Sequence, residues 1–158
     1  VDDATITSAL QDGLFDAVRR VSPRVEPPVA VVSLEIYPWH SYVALSVLDA
    51  SSSPGIENSP ADWPLFECAS SFDAGRGAEV IGAWGPVAEA MNERWSSAVA
   101  SSAGVEVTDH LHRLAAQALR SAAISEALEG AGWEGCLRQV INADDPAQRN
   151  FATDESRP

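Results

Sequence analysis

The residue types best suited to chemistry crowd into one short stretch, VTDHLHRLAAQAL (107–119), where Asp109, His110 and His112 stand close together. Two imidazoles and a carboxylate are the raw material of a zinc site or of acid–base catalysis. Their spacing argues against both. On a helix, His110 and His112 point about 200° apart around the axis and cannot share one metal ion. Asp109 and His112 do share a side, but a carboxylate–imidazole pair without further ligands is only part of a site. Thr108 is placed to be an N-cap and Asp109 to complement the helix dipole, so the stretch reads as the start of a helix.

A second set of candidates lies around two apparent strands. Glu35, Glu67 and His40 would support general acid–base catalysis if they converged in a pocket. Tyr37, Trp39, Tyr42 and Trp63 are candidate anchors for a partner, because large aromatic side chains dominate interface energetics. Trp39 sits in a turn between Pro38 and His40, which favours exposure, whereas core packing is the plainer reading of Trp63, Trp84 and Trp95. For Glu35 and Glu67 the plainer reading is solvated strand residues. Arg94 falls inside an apolar helical stripe, where it either snorkels to solvent or anchors a buried carboxylate or a ligand anion.

Composition removes whole classes of activity. All ten basic residues are arginine, and there is no lysine. Without lysine there is no Walker loop and no Schiff-base or pyridoxal-phosphate chemistry. In GRGAEVIG (75–82) the third glycine comes too late for a dinucleotide fingerprint. HExxH, calcium-loop and GxSxG patterns are missing as well. No cofactor or metal is expected. Cys68 and Cys136 form no CxxC pair and read as free thiols of a reducing cytoplasm, a single bridge being the alternative.

The 23 acidic residues leave a net charge of −13. That balance steers a protein towards basic partners and away from nucleic acid and anionic membranes. The bland reading is compositional: arginine without lysine, with many alanines, is what a GC-rich genome produces. No apolar run reaches the roughly 20 residues of a membrane span, and VDDATITSAL lacks the basic start and apolar core of a signal peptide. The expected location is the cytoplasm, with a leader ahead of Val1 left open.

These candidates need elements to position them. Ser8 and Gln11 suggest a capping box for a helix to about Arg20, followed by a stiff SPRVEPP linker (22–28). Alternation predicts strands at 29–37 and 42–49, joined as a hairpin with Tyr37 opposite Tyr42 and Glu35 opposite Ala44. Val32, Leu34, Ile36, Val43, Leu45 and Val47 would face the core, leaving a polar, aromatic face of Ser33, Glu35, Tyr37, Tyr42 and Ser46 towards solvent. A turn-rich loop (50–64) leads to a third strand at 65–72 with Phe66 and Cys68 inward. After a break at 73–79, one helix is expected from Pro86 and a long one from Thr108 to near Gly130. GWEGCLRQVINADDP (132–146) would add a short helix or strand, with Asp144 and Asp145 in a solvated turn. The expected fold is one α+β domain over 1–146: an N-terminal helix, a small antiparallel sheet of about three strands, and a helical C-terminal half packed on one face. A loosely held polar tail would follow from Ala147.

The segment NSPADWPLFECASSF, with this element order, resembles a family of small bacterial proteins of uncharacterised function that often occur in toxin–immunity gene neighbourhoods. The matching positions are Ser59, Pro60, Asp62 and Trp63, and near the end Gly132, Trp133, Asp144 and Asp145. The resemblance covers most of the chain through short, degenerate motifs. It implies a binding role and carries no catalytic residues.

Three functions compete. The first is an acidic, immunity-type protein that neutralises a basic partner, with Trp39, Tyr37, Tyr42, Glu35, Glu67 and Trp63 as binding candidates. The second is a small carboxylate and histidine enzyme. The third is a subunit of a larger assembly, since the oligomeric state is not legible.

Overall fold

The first helix is opened by Asp2, whose carboxylate accepts the Thr5 N–H at 2.8 Å, so α1 runs Asp3–Val21 in the computed structural model. The cap lies ahead of the expected Ser8–Gln11 box because an aspartate at the N-cap satisfies a free helix donor directly. The structure describes residues 1–52, 55, 59–73, 75 and 77–153. Part of the turn-rich loop and of the 73–79 break, and the last residues of the tail, lie outside them. One face of α1, from Ile6 through Leu10 and Leu14 to Val21, is buried.

The hairpin follows the sequence pattern. β1 (Val29–Tyr37) and β2 (Tyr42–Asp49) pair antiparallel, with Tyr37 opposite Tyr42 and Glu35 opposite Ala44. Val32, Leu34, Ile36, Val43, Leu45 and Val47 join the helices in the main core. β3 (Leu65–Ser70) pairs antiparallel with β2 and carries an irregularity between its Leu65 and Ala69 partners. Cys68 faces the core as expected, while Phe66 is only half-buried.

Among the described residues the sheet has five strands, not about three. β4 (Glu79–Val80) lies parallel to β3 and β5 (Leu137–Gln139) parallel to β1, giving the order β4-β3-β2-β1-β5. Both edge strands are too short to show an alternating pattern, and the partner of β5 is distant in sequence. The fold is α+β, with a mixed sheet.

The helical half comprises α2 (Trp84–Ala100), α3 (Gly104–Leu119) and α4 (Ala122–Gly130). Thr108 is not a cap. Its hydroxyl donates to the Gly104 carbonyl within an α3 that has already started, the Val107 N–H bonding back to Ala103. The expected long helix is broken after Leu119, where Ser121 caps α4 through the Ile124 N–H. Buried side chains of all four helices meet the sheet on one face.

One further expectation is corrected. The polar sheet face is not solvated: Ser33, Glu35, Tyr42, Ser46, Glu67 and Ser70 are all buried, and Tyr37 half-buried. Alternation tells which residues share a face, not whether that face is covered. Within the expected tail, residues 147–149 are exposed while residues 150–152 are held in place. Asn150 accepts the Val140 and Ala152 N–H groups and donates to the Arg138 carbonyl, and Phe151 is buried in the core.

Candidate functional site

β1, β2 and β3 bring Glu35, Tyr37, Tyr42, Ser46 and Glu67 together on the second sheet face. Glu67 gets there through a positive φ of 46° at the β3 irregularity, with its N–H bonded to the Ser46 hydroxyl at 2.8 Å. Glu35 is 4% exposed, and neither carboxyl oxygen completes a hydrogen bond among the described residues. Burial pushes its carboxyl up to about 8; the Glu67 charge acts the same way, and the nearby Ser46 and Tyr37 hydroxyls pull against it. Burial also raises the Tyr37 phenol, and takes Tyr42 to about 12. At neutral pH this is a neutral acid beside a second carboxyl group. It can hold a proton, but both glutamates are closed to solvent, so substrate has no access in this arrangement. His40 is exposed and is not among the groups acting on Glu35.

Trp39 belongs to a different environment. The turn Pro38–His40 packs on α2, where the Asn92 amide donates to the Pro38 carbonyl at 2.7 Å, and Ser41 closes the turn at φ 49°. Trp39 thereby meets Trp95 of α2 at a ring separation of 6.2 Å with 55° between the planes. The two half-buried indoles wall a cleft of about 590 Å³. Its other sides come from the start of α3, including Val105 and Asp109, and from the C-terminal segment with Asn142, Asp144, Asp145 and Arg149. Val99 and Val105 leave 47% and 76% of their surface open there. A row of rings connects the cleft to the buried carboxyls: Trp39 to Tyr37 at 6.0 Å, Tyr37 to Tyr42 at 6.0 Å, and Tyr42 to the half-exposed Phe72 at 4.9 Å.

Charge in the cleft is uneven. The Arg149 guanidinium reaches both Asp109 oxygens at 3.1 Å and an Asp145 oxygen at 2.7 Å. Asp144 is exposed and makes no ion pair among the described residues. Three carboxylates thus face one guanidinium.

The remaining candidates lie outside the cleft. Trp63 is 3% exposed and packs with Val31 and Leu48 in a small second cluster. Arg94 pairs with Asp3, which also takes His110 at 2.9 Å, tying α2 and α3 to the start of α1. This carboxylate is half-exposed, so Arg94 neither merely snorkels nor anchors a deeply buried charge. His112 is fully buried, its Nδ1 at 2.8 Å from the Thr108 carbonyl and its ring 5.3 Å from that of Phe151. Desolvation lowers its pKa, which keeps it neutral. The two histidines do diverge, and among the described residues no three His, Cys, Asp or Glu side chains are grouped to hold a metal. Both cysteines are free; burial pushes the Cys68 thiol up to about 12 and also raises Cys136, so neither is activated.

Sequence reasoning singled out Trp39 as exposed, whereas it is half-buried, and missed its surroundings. Trp95 sits in an apolar stripe and reads as core. Asp145 and Arg149 have a legible i,i+4 spacing, whereas Asp109 meets Arg149 only through the tertiary fold. The chain matches no family model, no curated protein and no solved structure. Among the described residues no helix is long and apolar enough to cross a membrane.

Proposed function

We propose that the chain is an acidic, immunity-type binding protein that neutralises a basic protein partner, with the Trp39–Trp95 cleft as its principal contact. The observation that carries this reading is the cleft itself: exposed apolar surface from two tryptophans and two valines beside an excess of carboxylates. Aromatic walls supply contact energy, and the net charge of −13 speeds encounter with a cation. Tyr37 backs the Trp39 ring and Tyr42 backs Tyr37, while Glu35, Glu67 and Trp63 serve the framework, not the contact.

The test is affinity capture from a lysate of the source cells at low and high salt, with wild type and Trp39→Ala in parallel. A basic protein held at low salt, shed at high salt and bound at least tenfold more weakly by Trp39→Ala is the expected result. An acidic or neutral partner, or one unaffected by the substitution, would sink the proposal.

The convergence of Glu35 and Glu67 favours a second reading, an acid–base enzyme whose closed carboxyl pair opens to substrate. A substrate screen in which Glu35→Gln abolishes turnover, and Trp39→Ala does not, would replace the first reading with this one.

A further inference from the structure

We infer that the cleft receives an arginine side chain of the partner, its guanidinium against the Trp39 and Trp95 indoles and paired with Asp144. This rests on the binding reading above and names the group recognised. Among the described residues Asp109, Asp144 and Asp145 stand against Arg149 alone, which gives the cleft a net charge of −2 and one unpaired carboxylate. A cation completes it.

The molecule already contains the arrangement being inferred. Arg149 places its guanidinium between Asp109 and Asp145 and over the Phe151 ring, 5.0 Å from the centroid. Carboxylate on the edge and aromatic surface on the face is the environment a guanidinium fills better than a compact ammonium, because it is planar, weakly hydrated and able to bond in bidentate fashion. Asp144 and the two indoles repeat those elements without the cation. Asn142 adds a requirement for main chain. It is 9% exposed; its Oδ1 accepts the Asp144 N–H at 3.0 Å, and its amide nitrogen makes no hydrogen bond among the described residues. That nitrogen is a donor for the carbonyl of an incoming peptide, which points to an arginine within a chain and not to a free small cation.

The experiment titrates N-acetyl-arginine methylamide into the 15N-labelled full chain and follows the indole N–H signals of its five tryptophans. Trp39→Phe and Trp95→Phe assign the two of interest. Saturable shifts of Trp39 and Trp95 are expected, at least threefold weaker in Asp144→Asn, and lost with the uncharged citrulline analogue. Asp144 is exposed and, among the described residues, unpaired by other side chains, so its variant tests recognition without threatening the fold. Equal shifts with citrulline or with the lysine analogue would overturn the inference, as would no shift at these two indoles. If arginine fails here while Trp39→Ala still releases the basic partner, only the guanidinium assignment falls. If arginine binds but Trp39→Ala leaves partner capture unchanged, the neutralising role is what fails.

Discussion

A methyl group placed on Gly13 would stand 2.0 Å from the indole nitrogen of Trp84 and 2.2 Å from its Cδ1. Neither side can yield easily: Trp84 is fully buried, and its indole N–H donates to the Leu10 carbonyl at 3.4 Å. Alanine normally stabilises a helix interior by about 1 kcal/mol over glycine. Overpacking a core typically costs about 1–3 kcal/mol, and so close an approach to a buried ring belongs at the upper end, so Gly13→Ala is expected to lower stability by up to ~2 kcal/mol net. Urea unfolding measures it. A gain in stability would show that the indole moves aside freely and that the α1–α2 contact is not the tight joint described.

Glu35 makes stability depend on pH in an unusual direction. Its carboxyl titrates near 8 in the folded protein against 4.5 without burial, so the folded state holds the proton longer than the unfolded one. Stability from this group is complete below pH 4.5 and declines as pH rises through 8, by about 3–5 kcal/mol in all. Glu35→Gln removes the titration. The variant should match wild type near pH 4.5 and exceed it increasingly up to pH 9, in urea unfolding at several pH values. Parallel curves for the two proteins would contradict the burial of an unpaired carboxyl.

His112 acts oppositely. Its pKa is lowered on folding, so the unfolded chain takes up the proton first and stability is lost as pH falls below about 6.5. The two groups oppose each other between roughly pH 4.5 and 6.5, and only Glu35 acts above that. A His112→Gln variant should lose less stability than wild type on acidification from pH 7 to 5. An imidazole signal that titrates normally at pH 6.5 in the folded protein would disprove the neutral, buried state.

Replacing Arg149 with glutamine takes the cleft from a net charge of −2 to −3. Binding of a cationic peptide should tighten at least twofold at low salt, with a smaller gain at high salt because exposed charges are screened. Calorimetry at two ionic strengths reads both effects. Weaker binding at both would mean that Arg149 matters more for holding Asp109 and Asp145 in place than for the charge it removes.

Local physics explains what the sequence made legible. The hairpin, down to Tyr37 opposite Tyr42, follows from β-branched alternation and a short turn. The divergence of His110 and His112 follows from helix geometry alone. What stayed hidden depends on contacts between remote segments. Nothing near Glu35 says that its face is covered, because an alternating strand looks the same whether its polar side meets water or protein. The pairing of β5 with β1 and of Asp109 with Arg149 needs the helices in place first. Trp95 shows the same limit: an aromatic in a helical stripe satisfies the pattern of a core residue, and only the position of Pro38–His40 turns it into a wall of the cleft.

The position of β5 has a temporal consequence. Val31 meets Leu137 across most of the chain, while the β1–β2 pairing closes within a few residues. Short loops close with less entropy loss than long ones, so the hairpin should gain hydrogen-exchange protection before Leu137–Gln139 does. Asp144, Asp145 and Arg149 follow β5 directly and are fixed in place through Asn150. The acidic wall is therefore assembled after the aromatic one. A nascent chain carries Trp39 long before it carries these carboxylates, so the proposed capture of a cationic partner would wait until the segment through Arg149 has been made and docked.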